Sequence, residues 1–149
     1  MTLITFEHIL TEALRIAGGT PCSFSAAGSA ETDFHGLTIG FQYDERGKRL
    51  CLYCGLGRLP SEPSSALCEF LLEANLLGSD TGGGHIGLHA PSRILLFSLW
   101  LDTEGLDSSR LANALMRFTE KAAGLIAGTA EHMANSSDSL PLMMNVIWA

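Results

Sequence analysis

The chain has 149 residues, 46% of them hydrophobic and only 17% charged, with a formal net charge of −7. That length fits one domain able to bury a sizeable core without staples, and the acidic balance argues against nucleic acid, because phosphate binding needs clustered Lys and Arg. Low charge density on a small domain leaves surplus apolar surface, some of which can serve a partner.

The basic residues form no run beyond Arg46-Gly47-Lys48-Arg49, which reads as a charged hairpin turn. The N-terminal residues lack a basic n-region and an apolar h-region, so no signal peptide is expected. No apolar run reaches the roughly 18 residues of a membrane span. The four cysteines are then expected as reduced thiols in a cytoplasm.

Leu3, Phe6, Ile9, Leu10, Ala13, Leu14 and Ala17 recur at helical spacing and predict a first helix. Gly18 and Gly19 stop it, and Pro21 prevents its return. Residues 22–33 are small and polar and read as a weak strand or a loop. Residues 34–43 alternate, with Leu37, Ile39, Phe41 and Tyr43 on one face; a turn and residues 48–56 complete a hairpin. Residues 59–65 are a connector whose Pro and Ser suit the start of a second helix, 66–77, which ends at Gly78. A Gly-rich loop leads to a short strand, 85–89. Residues 93–101 are the strongest strand, apolar on both faces and therefore central or at an interface.

Asp107 or Ser108 can cap a long third helix with a buried stripe of Leu111, Leu115, Phe118, Ala122, Leu125, Ile126 and Met133. Residues 1–134 then form the domain, and 135–149 a polar linker with an apolar tail. There is no internal repeat. Helix, strands, helix, strands, helix is the order of an α+β fold with a mainly antiparallel sheet and helices packed on it.

Several patterns invite a chemical reading. Cys51 and Cys54 form a C-x-x-C, but on a strand, where side chains three apart point to opposite faces. A redox pair wants a helix start, and no second C-x-x-C completes a zinc site, so both read as structural. His85 and His89 have the spacing of two ligands on a helix; on a strand they lie roughly 13 Å apart, too far for one metal. The glycines of 78–84 lack the Lys-Ser/Thr of a phosphate loop and lead into a strand. There is no G-x-S-x-G and no H-E-x-x-H. Gly124 and Gly128 make a G-x-x-x-G on a helix that carries Arg117, Glu120, Lys121 and Glu131, and so allow close packing rather than membrane dimerisation. No enzyme, metal or cofactor is expected.

The second helix is different. Leu67, Phe70, Leu71, Ala74 and Leu77 share one side, and Cys68, Leu72, Asn75 and Leu76 occupy much of the other. Only Glu69 and Glu73 form a charged stripe. A helix apolar nearly all round must be covered nearly all round. One side can cover the sheet, and a second copy of the chain is the simplest cover for the other. The competing reading is that the third helix covers it within one chain.

Residues 67–77, the glycines, the short strand 85–89, the strand from Arg93 to Asp102 and the Leu115-Met116-Arg117-Phe118 of the third helix together resemble the Tir-chaperone family, the class I chaperones of type III secretion. The resemblance covers roughly residues 2–133. It implies an α-β-β-β-α-β-β-α fold, a homodimer, and no enzyme activity. It also implies that the chain binds an N-terminal stretch of a secreted effector and keeps it extended and export-competent. Carried over, the dimer interface falls on Leu67, Phe70, Leu71, Ala74 and Leu77 with Phe97 and Trp100. The effector contacts fall on Phe6, Leu10, Ile39, Phe41, Leu50 and Leu52. The sequence departs from the family in residues 22–33 and in the apolar tail 140–149, which is expected to dock in an apolar groove. A dimeric regulator of the same shape and a small-molecule-binding domain are the alternatives.

Overall fold

The computed structural model describes residues 1–134; the linker and tail, 135–149, lie outside the described residues. Helix α1 spans Leu3–Ala17. Thr2 caps it by accepting from the Thr5 amide, and Gly18 ends it in the left-handed region at φ 81°, a conformation that costs glycine little. Strands β1 (Ser29–Phe34), β2 (Leu37–Asp44) and β3 (Arg49–Arg58) follow. Helix α2 is Ser65–Asn75, capped by Ser64 accepting from the Leu67 amide, and runs into a 3-10 turn, Leu76–Gly78. Then come β4 (His85–His89), β5 (Ile94–Asp102) and α3 (Ser108–His132). Asp107 accepts from the Arg110 amide at 2.8 Å and so caps α3, as its sequence position suggests.

The residues expected as a weak strand or loop divide. Residues 29–34 form β1, pairing Ala30 with Phe41 and Thr32 with Ile39. Burial alternates along it, with Ala30, Thr32 and Phe34 inward. Small polar residues hide the period-2 signal because Thr32 takes a buried position; its hydroxyl donates to the Thr20 carbonyl at 2.7 Å.

The sheet order is β1-β2-β3-β5-β4, and β1/β2, β2/β3 and β4/β5 are antiparallel. β3 and β5 also run oppositely. Leu59, just past β3, donates to Arg93 before β5, and Thr103, past β5, donates to Lys48 before β3. The fold is thus α+β with an antiparallel sheet. The central strand by position is β3, which is buried on both faces from Leu50 to Leu56. On β5, burial fades from Ile94 toward Trp100.

The chain falls into two compact units. The first is Met1–Tyr53 with Leu99–Glu120. Its core joins Phe6, Leu10 and Leu14 of α1 to Ile39, Phe41, Leu50 and Leu52 of the strands and Leu111, Leu115 and Phe118 of α3. The second is Cys54–Ser98 with the remainder of α3. Its core holds Leu56, Leu67, Ala74, Ile94, Leu95, Phe97, Ala122 and Leu125.

Candidate protein-binding surfaces

In the first unit, the six positions carried over as effector contacts, Phe6, Leu10, Ile39, Phe41, Leu50 and Leu52, all have 0% exposure. The structure brings them together, but as the core. A side chain without exposed surface has nothing to offer a partner in this conformation. The reason is local: apolar residues at helical or alternating spacing mark the face that packs inward. Phe6 stacks on Tyr43 with ring centroids 4.6 Å apart, and Phe24 lies against both rings.

The exposed apolar side chains of α1 are Ile4 and Ile16. In the same unit the outer edge of the sheet, at β1, is partly open. Tyr43 donates to the Gly28 carbonyl at 2.8 Å, which sets the ladder phase. Ala30, Thr32 and Phe34 therefore bond across to β2, and the backbone groups of Ser29, Glu31 and Asp33 point outward. Ser29 is closed by the Ser25 amide, which donates to its carbonyl at 2.8 Å. The backbone groups of Glu31 and Asp33 face the open edge, and both residues are exposed. An edge of this kind accepts an added strand, and its acidic side chains deter a second copy of itself.

The other sheet edge, in the second unit, is managed differently. Asn75, the last residue of α2, accepts from the Ile86 amide at 2.8 Å and donates to the Ile86 carbonyl at 3.0 Å. Its side-chain amide thus stands in for a neighbouring strand at the middle of β4. Two residues on, Leu88 presents its backbone groups in the same outward direction.

The dimer candidates separate by burial. Leu67, Ala74 and Phe97 are buried, and Phe70 and Leu71 are half-buried. The third helix covers part of this face, at Phe70, whereas Leu72 and Leu76 on the other side, which the competing reading placed under it, remain exposed. The Phe70 ring lies on Gly128, where a Cβ would collide with it, and stacks on His132 at 4.7 Å. Gly124 has open space around it, so only one of the two glycines admits a close approach. Trp100, 41% exposed, belongs to the first unit, where Arg49 sits over its ring at 4.7 Å.

Leu77 does not share the inward face, because the helix stops at Asn75. It sits in the left-handed region at φ 55° and is 96% exposed. Such a backbone is uncommon for a bulky residue and marks a held conformation. With Leu72 and Leu76, 71% and 65% exposed, it makes an apolar patch on the outer side of α2. Glu69 and Glu73 are also exposed on this helix. The second apolar side of the helix is therefore present, carried by Leu72, Leu76 and Leu77.

Three of the four cysteines, Cys22, Cys51 and Cys54, are chemically quiet. Cys51 and Cys54 are buried and free, and burial pushes each thiol up to about 11. Burial, assisted by the Glu7 carboxylate, does the same for Cys22. A thiol held protonated is a poor nucleophile and a poor metal ligand. Among the described residues, no group of three or more His, Cys, Asp or Glu is placed to hold a metal ion. No helix among them is long and apolar enough to cross a membrane.

A helix, a three-stranded meander, a second helix, a strand pair and a long closing helix define an α+β class built to present helix faces and sheet edges. The sequence profile of the Tir chaperone protein (CesT) family matches residues 8–125, and the chain belongs to that family. Solved structures share the fold at low identity. The chain is similar to a structure of the HopA1-SchA chaperone-effector complex (TM-score 0.65, 19% identity, 86% of this chain and 94% of that one). It is also similar to one of the ExsC-ExsE complex (0.69, 13%, 84% and 93%). A third is the Yersinia pestis type III secretion chaperone SycH with a stable fragment of YscM2 (0.60, 17%, 80% and 98%). Among curated proteins no sequence match is found.

Proposed function

We propose that this chain is a type III secretion chaperone that binds the N-terminal region of a secreted effector and keeps it non-globular and competent for export. The observation that carries the reading is the family match over residues 8–125. The acidic net charge and the exposed leucines fit a protein that holds another protein. The reading includes no catalytic step and no cofactor, and places the chain in the bacterial cytoplasm.

Two surfaces divide the work. The client surface is on the first unit. It centres on Ile4 and Ile16 of α1 and on the open edge of β1 at Glu31 and Asp33, next to the buried positions inferred from the resemblance. An extended client gains backbone hydrogen bonds at such an edge and apolar contacts beside it. These contacts offset the entropy lost when a disordered segment is ordered. The homodimer surface is on the second unit, at Leu72, Leu76 and Leu77, with Phe70 and Leu71 at its rim.

The test is to co-express the chain with proteins encoded beside its gene and weigh the purified complex by light scattering. Two copies of the chain with one client is the expected result. A monomer that captures none of them would overturn the proposal.

A further inference from the structure

We infer that the Phe6 and Tyr43 rings form a subsite for an aromatic side chain of an extended client, and that in the free chain this subsite is filled by Phe24, which the client displaces. This deepens the chaperone reading given above and rests on it for the client, but not for the subsite.

Three observations lead there. The first is where the segment that carries Phe24 lies. Residues 19–28 form no helix or strand. They run back along α1: the Gly19 amide donates to the Leu14 carbonyl, and the Phe24 amide to a Glu7 carboxylate oxygen. They also meet β1. A Cβ on Gly19 would collide with the Phe34 ring, and the Thr20 carbonyl accepts from the Thr32 hydroxyl at 2.7 Å. The segment is thus a strap between the two elements that carry the proposed client surface.

The second is how lightly the strap is held. Residues 20–28 contain no charged side chain, and Phe24 is their one large apolar residue. The bond from its amide to Glu7 is long, at 3.3 Å, and its ring is only half-buried. The bond that the Gln42 side chain donates to the Ala27 carbonyl is exposed. A segment with few buried contacts opens at low cost.

The third is that the two rings beneath Phe24 are placed without it. Phe6 belongs to α1 and Tyr43 to β2, and the Tyr43 hydroxyl donates to the Met1 carbonyl at 2.8 Å. The rings are stacked, 4.6 Å apart and within 3° of parallel. Phe24 meets both at 51°, with centroids 5.8 and 6.5 Å away. Tilted contacts at such distances are favoured between aromatic rings. A client ring entering at this place meets the same geometry, and its backbone N–H can take the Glu7 oxygen that Phe24 releases. An aliphatic side chain gains contact area alone.

The consequence is that Phe6, sealed in the free chain, reaches the client without the core opening. The strap competes with the client for one place. If about a tenth of the chains have it lifted, the apparent client dissociation constant is raised roughly tenfold.

The experiment uses the full chain and a synthetic peptide of residues 20–28 that carries Cys22→Ser. In a nuclear magnetic resonance titration, the chain with Phe24→Ala should bind this peptide about tenfold more tightly than the natural chain. The same peptide with Phe24→Ala should not bind. A second arm needs no substitution in the chain. Alkylation of Cys22 on the strap, read by peptide mass, should quicken several-fold when the natural chain is saturated with a client captured by co-expression. Peptide binding that ignores Phe24→Ala in the chain or in the peptide would overturn the subsite. So would a client-saturated chain whose Cys22 reacts no faster than in the free chain. A chain that binds the peptide through its ring yet captures no protein encoded beside its gene supports the subsite and instead removes the chaperone reading.

Discussion

At the residue scale, burial sets the chemistry of three thiols, Cys22, Cys51 and Cys54. Their folded values of about 11 lie above the roughly 8.5 of an exposed cysteine. The folded chain holds these protons longer than the unfolded one. The resulting stability is fully present below about pH 8.5 and is lost as pH rises toward 11. The urea midpoint should therefore fall between about pH 9 and 11, and Cys51 and Cys54 should resist a thiol reagent at pH 8. A flat midpoint over that interval, with fast labelling, would contradict the buried placement. The two helical glycines give a paired test. Gly124→Ala meets open space and should gain up to about 1 kcal/mol from helix propensity. Gly128→Ala drives a methyl into the Phe70 ring and should lose about 1–3 kcal/mol to overpacking, offsetting that gain. The melting temperature should rise for the first and fall for the second.

At the element scale, the ends of helices do more than stop them. Asn75 ends α2 and closes the middle of β4 through two hydrogen bonds to one residue. Asn75→Ala removes both and should cost about 1–2 kcal/mol, with faster hydrogen exchange at the Ile86 amide. Asn75→Asp keeps an acceptor but loses the donor, and should fall between. Equal exchange at Ile86 in all three chains would mean that the edge is held by something else. Residue type alone does not disclose such a clamp, because an asparagine near a helix end reads first as a capping or turn residue. What the sequence did disclose was the extent of the elements. The short strand 85–89 matches β4, and the apolar stripe of the third helix matches the buried positions Leu111, Leu115, Phe118, Ala122 and Leu125. Leu77 was lost from its helix because a glycine-rich stop lets the chain turn two residues before Gly78.

At the scale of the whole molecule, the two proposed surfaces can be broken one at a time. Leu72→Asp/Leu76→Asp places charge on an exposed apolar patch and should yield a monomer with unchanged folding, since neither side chain is in the core. Ile4→Asp/Ile16→Asp should leave the dimer intact and weaken a cognate effector segment by tenfold or more in calorimetric titration. If the α1 variant binds its client normally, the client surface lies elsewhere on the chain.

The sequence by itself determined the family, the α+β order and the inward faces, since those follow from periodicity and from a pattern of apolar residues and glycines that one chain carries in full. It also showed that α2 is apolar on two sides. Only the tertiary structure decided which apolar residues stay at the surface. Phe6 and Ile4 are both apolar and lie on one helix, yet Phe6 is sealed beneath Tyr43 and Ile4 faces out. Hydrophobicity fixes that a residue prefers to leave water. Whether the fold has room for it inside depends on neighbours brought from far along the chain.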